Sequence, residues 1–320
     1  MSKVNRLLEA EHIPSSLWDS ANETLFLPAS LTEAYEKLID KYGLRNLSSE
    51  RKPDDPPVGG ITQKRTDQYF AQAFDGSVAR AQLALLDPKC DLASTSNTCL
   101  SSIAGNRVSI TDAPCGPGAA AFSFLSNIAE LRAHDALPRE PLDVLLIGAE
   151  LSEPARKYAN ELFLELQPSL EKQAIFVISE FISWDVTNAL SNTDLIKKMT
   201  HASNENPNQL LIVANFNSFL ERPEKRKEAE PQLNELFRHA SGPKSVAIWI
   251  EPNMNRAINE GGLFPWLRKK IATAWKMFAK EKTTTTAPIL ESSAQFECLL
   301  HLGAARVGLA VMPINLERNT

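Results

Sequence analysis

The chain has 320 residues, of which 43% are hydrophobic and 23% charged, with 20 Pro and 13 Gly. That composition excludes disordered, collagen-like and fibrous classes and predicts one large globular domain or two unequal ones. With 34 Lys and Arg against 39 Asp and Glu, the formal charge is −5, which argues against coating nucleic acid by bulk charge but leaves room for a local basic patch.

The first hundred residues read as helical and irregular. Ser30 and Glu33 have capping-box spacing, and Ala34, Tyr35, Leu38, Ile39 and Tyr42 follow at helical intervals. Gly43 suits the position just past that helix. A polar, breaker-rich loop is expected over 48–60. A second helix is predicted over 67–86, with Phe70, Phe74, Ala81 and Leu85 on one face and Asp87-Pro88 ending it. A short helix is expected around 98–104.

From Val108 the pattern changes. Strand-like apolar runs at 108–111, 143–149, 174–179, 209–214 and 245–250 alternate with helical patterns at 122–132, 153–166, 193–202 and 231–239. Such alternation predicts a parallel sheet with helices on both faces. Residues 264–282 read as a helix with Pro265 near its start. One face carries Trp266, Ile271, Trp275 and Phe278; the other carries Arg268, Lys269, Lys270, Lys276, Lys280 and Lys282. That basic face is either a solvated surface or a phosphate-contacting patch. Runs at 296–302 and 307–313 then read as an antiparallel hairpin.

No apolar run approaches the roughly 20 residues that span a bilayer, and the N-terminal stretch has no apolar core of a secretory signal. Neither a membrane span nor export is expected. Cys90, Cys99, Cys115 and Cys298 form no C-x-x-C, and the five His are scattered, so no disulfide framework and no metal site are expected. A reduced, cytoplasmic setting fits best.

The most informative segment runs Asp112-Ala113-Pro114-Cys115-Gly116-Pro117-Gly118, between a strand and a helix. Glycines there let the backbone approach a ligand, and the helix start offers free N–H groups. Taken alone, it is equally a tight turn in any α/β protein. A phosphate-binding P-loop is excluded, because Ala119-Ala120 follow Gly118 where Lys and Ser/Thr are needed. A dinucleotide loop fits formally through Ala121, but Asp112 would then face a pyrophosphate. A cofactor with a cationic amino-acid end suits that acid better.

Asp112-x-x-Cys115-Gly116-x-Gly118 resembles the first motif of the class I S-adenosylmethionine-dependent methyltransferases, departing from its commonest form at Pro114, where a Gly usually stands. The resemblance covers roughly 108–315. It implies an α/β fold with a Rossmann-like methyltransferase sheet, parallel strands plus a C-terminal antiparallel hairpin. Residues 107–320 would form the cofactor-binding domain and 1–106 a helical cap. S-adenosylmethionine would be the cofactor, held by Asp112, Ala113, Pro114, Cys115, Gly116 and Gly118.

Glu150 and Leu151 match the family's strand-ending acid and its neighbour. A carboxylate at that edge can accept both ribose hydroxyls, or it can simply favour the next helix's N-terminus. The 32 residues from Gly118 to Glu150 exceed the roughly 20 usual in nucleotide-binding βαβ units. A long first helix and the loop 134–141 would absorb them. Trp184, Asp185 and Val186 are either an adenine site or a core Trp beside an N-cap Asp. Asn215 would lie beside the reactive methyl, contacting the cofactor and positioning an acceptor, with Phe216 as a pocket wall; Glu251 is either a substrate ligand or simply another strand-end acid. The implied activity is methyl transfer to an unidentified acceptor, RNA if the basic 264–282 face contacts phosphates. A cofactor-binding but inactive subunit is the alternative, and an NAD(P)-binding oxidoreductase a further one. In the cap, Tyr69, Phe70 and Arg80 either line the cleft or pack in the core.

Overall fold

The computed structural model describes residues 5–50, 61–206, 208–240, 244–253, 262, 265–266 and 289–315. Among the described residues, nine strands form one sheet. They are β1 (Trp18–Asp19), β2 (Thr24–Leu25), β3 (Arg107–Asp112), β4 (Leu142–Ala149), β5 (Ile175–Ile182), β6 (Gln209–Ala214), β7 (Ser245–Pro252), β8 (Leu290–Glu297) and β9 (Ala304–Asn315). Their spatial order is β1-β2-β8-β9-β7-β6-β3-β4-β5. The five strands from β5 to β7 are parallel; β9 returns antiparallel to β7 and to β8. The alternation of runs predicts this parallel sheet and its C-terminal antiparallel hairpin, and the strand order is the Rossmann-like methyltransferase arrangement that the resemblance implies.

The apolar runs become parallel strands because both of their faces are covered. On β6, Leu210, Ile212 and Ala214 enter one core while Leu211 and Val213 enter the other. The first core is closed by α1 (Ala29–Lys41), α4 (Phe74–Leu86), α5 (Ala93–Ile103), α6 (Ala119–Ala133) and α7 (Glu153–Lys172). The second is closed by α8 (Ala189–Glu205) and α10 (Pro223–His239). Short helices α2 (Arg45–Ser48), α3 (Gln63–Gln72) and α9 (Asn217–Leu220) complete the set.

Helix α1 buries Leu31, Ala34, Tyr35, Leu38 and Ile39 on one face. Gly43 adopts φ +65°, its N–H bonding to Asp40 O while that of Leu44 reaches Ile39 O, a Schellman end. The expected capping box is not formed: Pro28 is the N-cap and receives the Leu31 and Thr32 N–H groups, so Ser30 lies inside the first turn. The single helix expected over 67–86 is two. Ala73 leaves the helical region at φ −141°, which lets Phe70 and Phe74 both turn in upon the Tyr35 ring. Helix α10 starts at Pro223, not Pro231. The fixed proline φ suits a first turn, and Pro231 is carried inside. Strand β8 begins at Leu290, six residues before the predicted run, because its alternating half-polar sequence conceals it.

The N-terminal segment is woven into the sheet. Thr24 and Leu25 of β2 pair with Gln295 and Phe296 of β8, and the first core runs without interruption from Leu8 to Val311. Most of the basic 264–282 segment lies outside the described residues. Within it, Trp266 packs beneath the Arg226 guanidinium, 5.6 Å from the ring centre. Among the described residues, no helix is long and apolar enough to cross a membrane.

Candidate functional site

The carboxyl ends of β3, β4, β6 and β7 converge on one edge of the sheet. The loop after β3 is pinned there. Cys115 N–H donates to Ala149 O (3.0 Å) at the end of β4, and Gly118 N–H closes a turn onto Cys115 O (2.8 Å). The Ala113–Pro114 peptide is cis. Gly116 and Gly118 have φ of +52° and +88°, which favours glycine at both. Their surroundings differ. A Cβ on Gly118 would run into the Phe122 ring of its own helix, whereas a Cβ on Gly116 would meet nothing within 4 Å. Gly116 is therefore the glycine that borders open space.

Asp112 is 1% exposed and lies beneath the loop. Its Oδ2 accepts the Ala121 N–H at the start of α6 (3.1 Å), and its Oδ1 has no partner among the described residues. Burial pushes its carboxyl up to about 7, and the nearby Glu150 adds to the shift. Glu150, at the end of β4, bridges two elements. Its Oε2 accepts from Gly116 N–H (3.1 Å) and its Oε1 from Ser152 N–H (2.8 Å). Burial raises its pKa while those N–H groups oppose the rise. Ser152 in turn caps α7 through the Ala155 N–H. The half-buried Glu150 and open Gly116 thus stand side by side, with Leu151, 37% exposed, on the rim.

The end of β5 contributes less to the cleft. Trp184 is 2% exposed in the second core, its Nε1–H donating to Asn192 Oδ1 (3.2 Å); Val186 is buried beside it. Asp185 is half-buried, and its Oδ1 closes a local turn by accepting from the Thr187 N–H and hydroxyl. Its Oδ2 is unengaged among the described residues.

At the tip of β6, Asn215 holds φ +56°, a conformation Asn tolerates better than most residues. Its Oδ1 accepts from Nε of Arg80, on α4 (3.0 Å). Arg80 Nη2 donates to Ser77 Oγ (3.0 Å), which also accepts from the Tyr69 hydroxyl (2.8 Å). The cap thus brings Tyr69, Ser77 and Arg80 over the strand ends, while Phe70 goes to the core. Ser77 is the participant sequence reading did not single out. Its place one helical turn before Arg80 is the signal that could have found it.

Phe216 and Glu251 are interior. Phe216 is 6% exposed, stacked between Phe219 and Trp249. Glu251 is fully buried, and its Oε1 takes three donors: Phe216 N–H, Asn217 N–H and Trp249 Nε1–H. Its Oε2 has no partner among the described residues, and burial pushes the carboxyl up to about 7. Glu251 therefore shapes the turn that presents Asn215. Of the three candidate catalytic residues, Asn215 alone is half-buried at the cleft.

No family model and no curated protein matches the chain. Among solved structures, a Listeria monocytogenes protein assigned to the class I S-adenosylmethionine-dependent methyltransferases is 14% identical, with a TM-score of 0.35, over 90% of this chain and 88% of its own. A protein studied for the conversion of a disulfide bond into a thioacetal group in echinomycin biosynthesis is 12% identical, with a TM-score of 0.33, over 67% of this chain and 77% of its own.

Proposed function

We propose that this protein binds S-adenosylmethionine at the carboxyl ends of β3 and β4 and acts as a methyltransferase. The observation that supports it is the pairing of Glu150 with Gly116. A strand-ending carboxylate is held by two backbone N–H groups beside a glycine whose outer side is open. An acid there can accept ribose hydroxyls with its remaining lone pairs, and the bare glycine lets a ligand approach the backbone. Leu151 offers an apolar rim for the base, and Asp185 Oδ2 is a free acceptor for an exocyclic amine. Asp112 works from below, tethering the start of α6 and so fixing the loop.

When bound, S-adenosylmethionine supplies an electrophilic sulfonium methyl. The chain's own contribution is to orient the acceptor at Asn215. Holding two reactants in attack geometry can supply roughly 7–11 kcal/mol of a barrier without a covalent nucleophile. Calorimetric titration with S-adenosylhomocysteine is the test. Binding should release heat and raise the melting temperature. No heat and no thermal shift at saturating ligand in a folded sample would sink the reading, and preferential binding of NAD(P) would replace it with an oxidoreductase.

A second reading, a cofactor-binding subunit without turnover, is favoured by the burial of Phe216 and Glu251. Transfer of label from methyl-labelled cofactor into fractionated cell RNA, protein or small metabolites would exclude it. An RNA acceptor rests on the 264–282 sequence. Changing Lys269, Lys270 and Lys276 to Gln should weaken RNA binding and flatten its salt dependence while leaving S-adenosylhomocysteine affinity unchanged. Label confined to metabolites overturns that acceptor. Four cysteines without C-x-x-C spacing suit a reducing, cytoplasmic compartment.

A further inference from the structure

Arg80 is a half-buried guanidinium at the cleft with no counter-ion among the described residues. Among the described residues it has two acceptors, Asn215 Oδ1 and Ser77 Oγ, and both are neutral. A guanidinium carries five N–H groups, so most of its donor capacity is unused, including all of Nη1. Asn215 is in the same position. A guanidinium can only donate, so the bond from Arg80 fixes the Asn215 amide with Oδ1 toward the arginine. Its Nδ2 is left without an acceptor among the described residues. Neither nitrogen is sealed away, in contrast to the unpaired Asp112 Oδ1 and Glu251 Oε2.

Removing an arginine from water without an opposing charge is unfavourable, and here burial lowers its pKa. Tyr69, Glu251 and Asp75 face it electrostatically, but none forms an ion pair with it. Asn215 stays in the left-handed region, which Asn tolerates, while its side chain receives Arg80.

From these juxtaposed, unfilled donors we propose that Arg80 and Asn215 form a carboxylate-binding site in the cleft, with the cap supplying the charge and the β6 tip the amide. A planar oxyanion can take N–H donors from both side chains. A doubly charged phosphate is disfavoured, because Asp112, Glu150 and Glu251 surround the same strand ends. The proposal rests on the cofactor reading above for the identity of the cleft. The carboxylate has two sources: the amino-acid end of the cofactor, or a small-acid acceptor.

The experiment separates them. S-adenosylhomocysteine and 5′-methylthioadenosine, which lacks the amino-acid end, are titrated into wild type, Arg80→Gln and Asn215→Gly. Benzoate binding is followed by ligand-observed NMR with and without S-adenosylhomocysteine. Asn215→Gly keeps the positive φ free of strain, so a folded variant is available if Arg80→Gln melts early. A cofactor carboxylate predicts a loss of roughly tenfold or more in S-adenosylhomocysteine affinity with 5′-methylthioadenosine unaffected. An acceptor carboxylate predicts unchanged nucleoside binding and lost benzoate binding, and would place the acceptor among small acids rather than RNA. If both variants leave all three ligands within about twofold of wild type, or weaken both nucleosides equally, the site is not a carboxylate anchor. Failure of S-adenosylhomocysteine to bind wild type defeats the cofactor reading instead, while benzoate still tests Arg80.

Discussion

Gly116 and Gly118 look alike in sequence and have different duties. Gly118→Ala combines a strained φ of +88° with a clash against Phe122, so it should destabilise the protein by about 1–3 kcal/mol or more, read as a lower urea midpoint. Gly116→Ala carries the backbone strain of φ +52° without a clash, so it should cost less stability than Gly118→Ala while weakening S-adenosylhomocysteine binding. Equal losses of stability with intact binding in both would sink the loop assignment. Asp112 and Glu251 make a second residue-scale prediction. Both carboxyls titrate at about 7 when folded, against ordinary values near 4 in the unfolded chain. Between about pH 4 and 7 the folded state therefore holds more protons, so these two groups lower stability as pH rises through that window and add no further change above it. Asp112→Asn and Glu251→Gln should each flatten the fall in melting temperature from pH 5 to 7.5; an unaltered slope in both would contradict the burial argument.

At the scale of elements, the break at Ala73 matters more than the continuity of helix on either side. It sends Phe70 and Phe74 into a cluster with Tyr35, with ring centroids 5.0 Å apart, and the Tyr35 hydroxyl donates to Phe70 O. The same break aligns α4 so that Arg80 reaches Asn215. Phe70→Ala should cost about 3–5 kcal/mol in chemical denaturation through the cavity it leaves. It should also loosen the cap enough to weaken cleft ligands. A stability loss under about 1 kcal/mol would mean that the aromatic cluster does not anchor the cap.

Across the whole molecule, cap and sheet share one core. β2 extends the sheet at β8, and α4 packs on α6 and β9, so no layer of water separates residues before and after 106. The full chain should therefore melt in a single cooperative transition, and a fragment of 107–320 should expose the apolar face of β8 and β9 and bind a hydrophobic dye. Two resolved calorimetric transitions, or a fragment that melts as sharply as the full chain, would show the segments to be separate folding units.

The parallel sheet, its C-terminal hairpin and the glycine loop were legible in the residues because each has a local cause. Runs such as 209–214 are apolar on both faces, and Gly116 and Gly118 mark a turn that side chains resist. Glu150 was legible as a strand-ending acid. What local pattern could not decide was which atoms meet across long sequence separations. Arg80 touches Asn215 only because α4 lies over the β6 tip, and Glu251 is a buried brace because Phe216, Asn217 and Trp249 all aim N–H groups at one oxygen. Two-residue strands β1 and β2 are too short to carry a periodicity, so the sheet edge they complete exists only through pairing with β8. Alternation and turn chemistry are written in neighbouring residues; burial and partnership arise when the whole chain closes on itself.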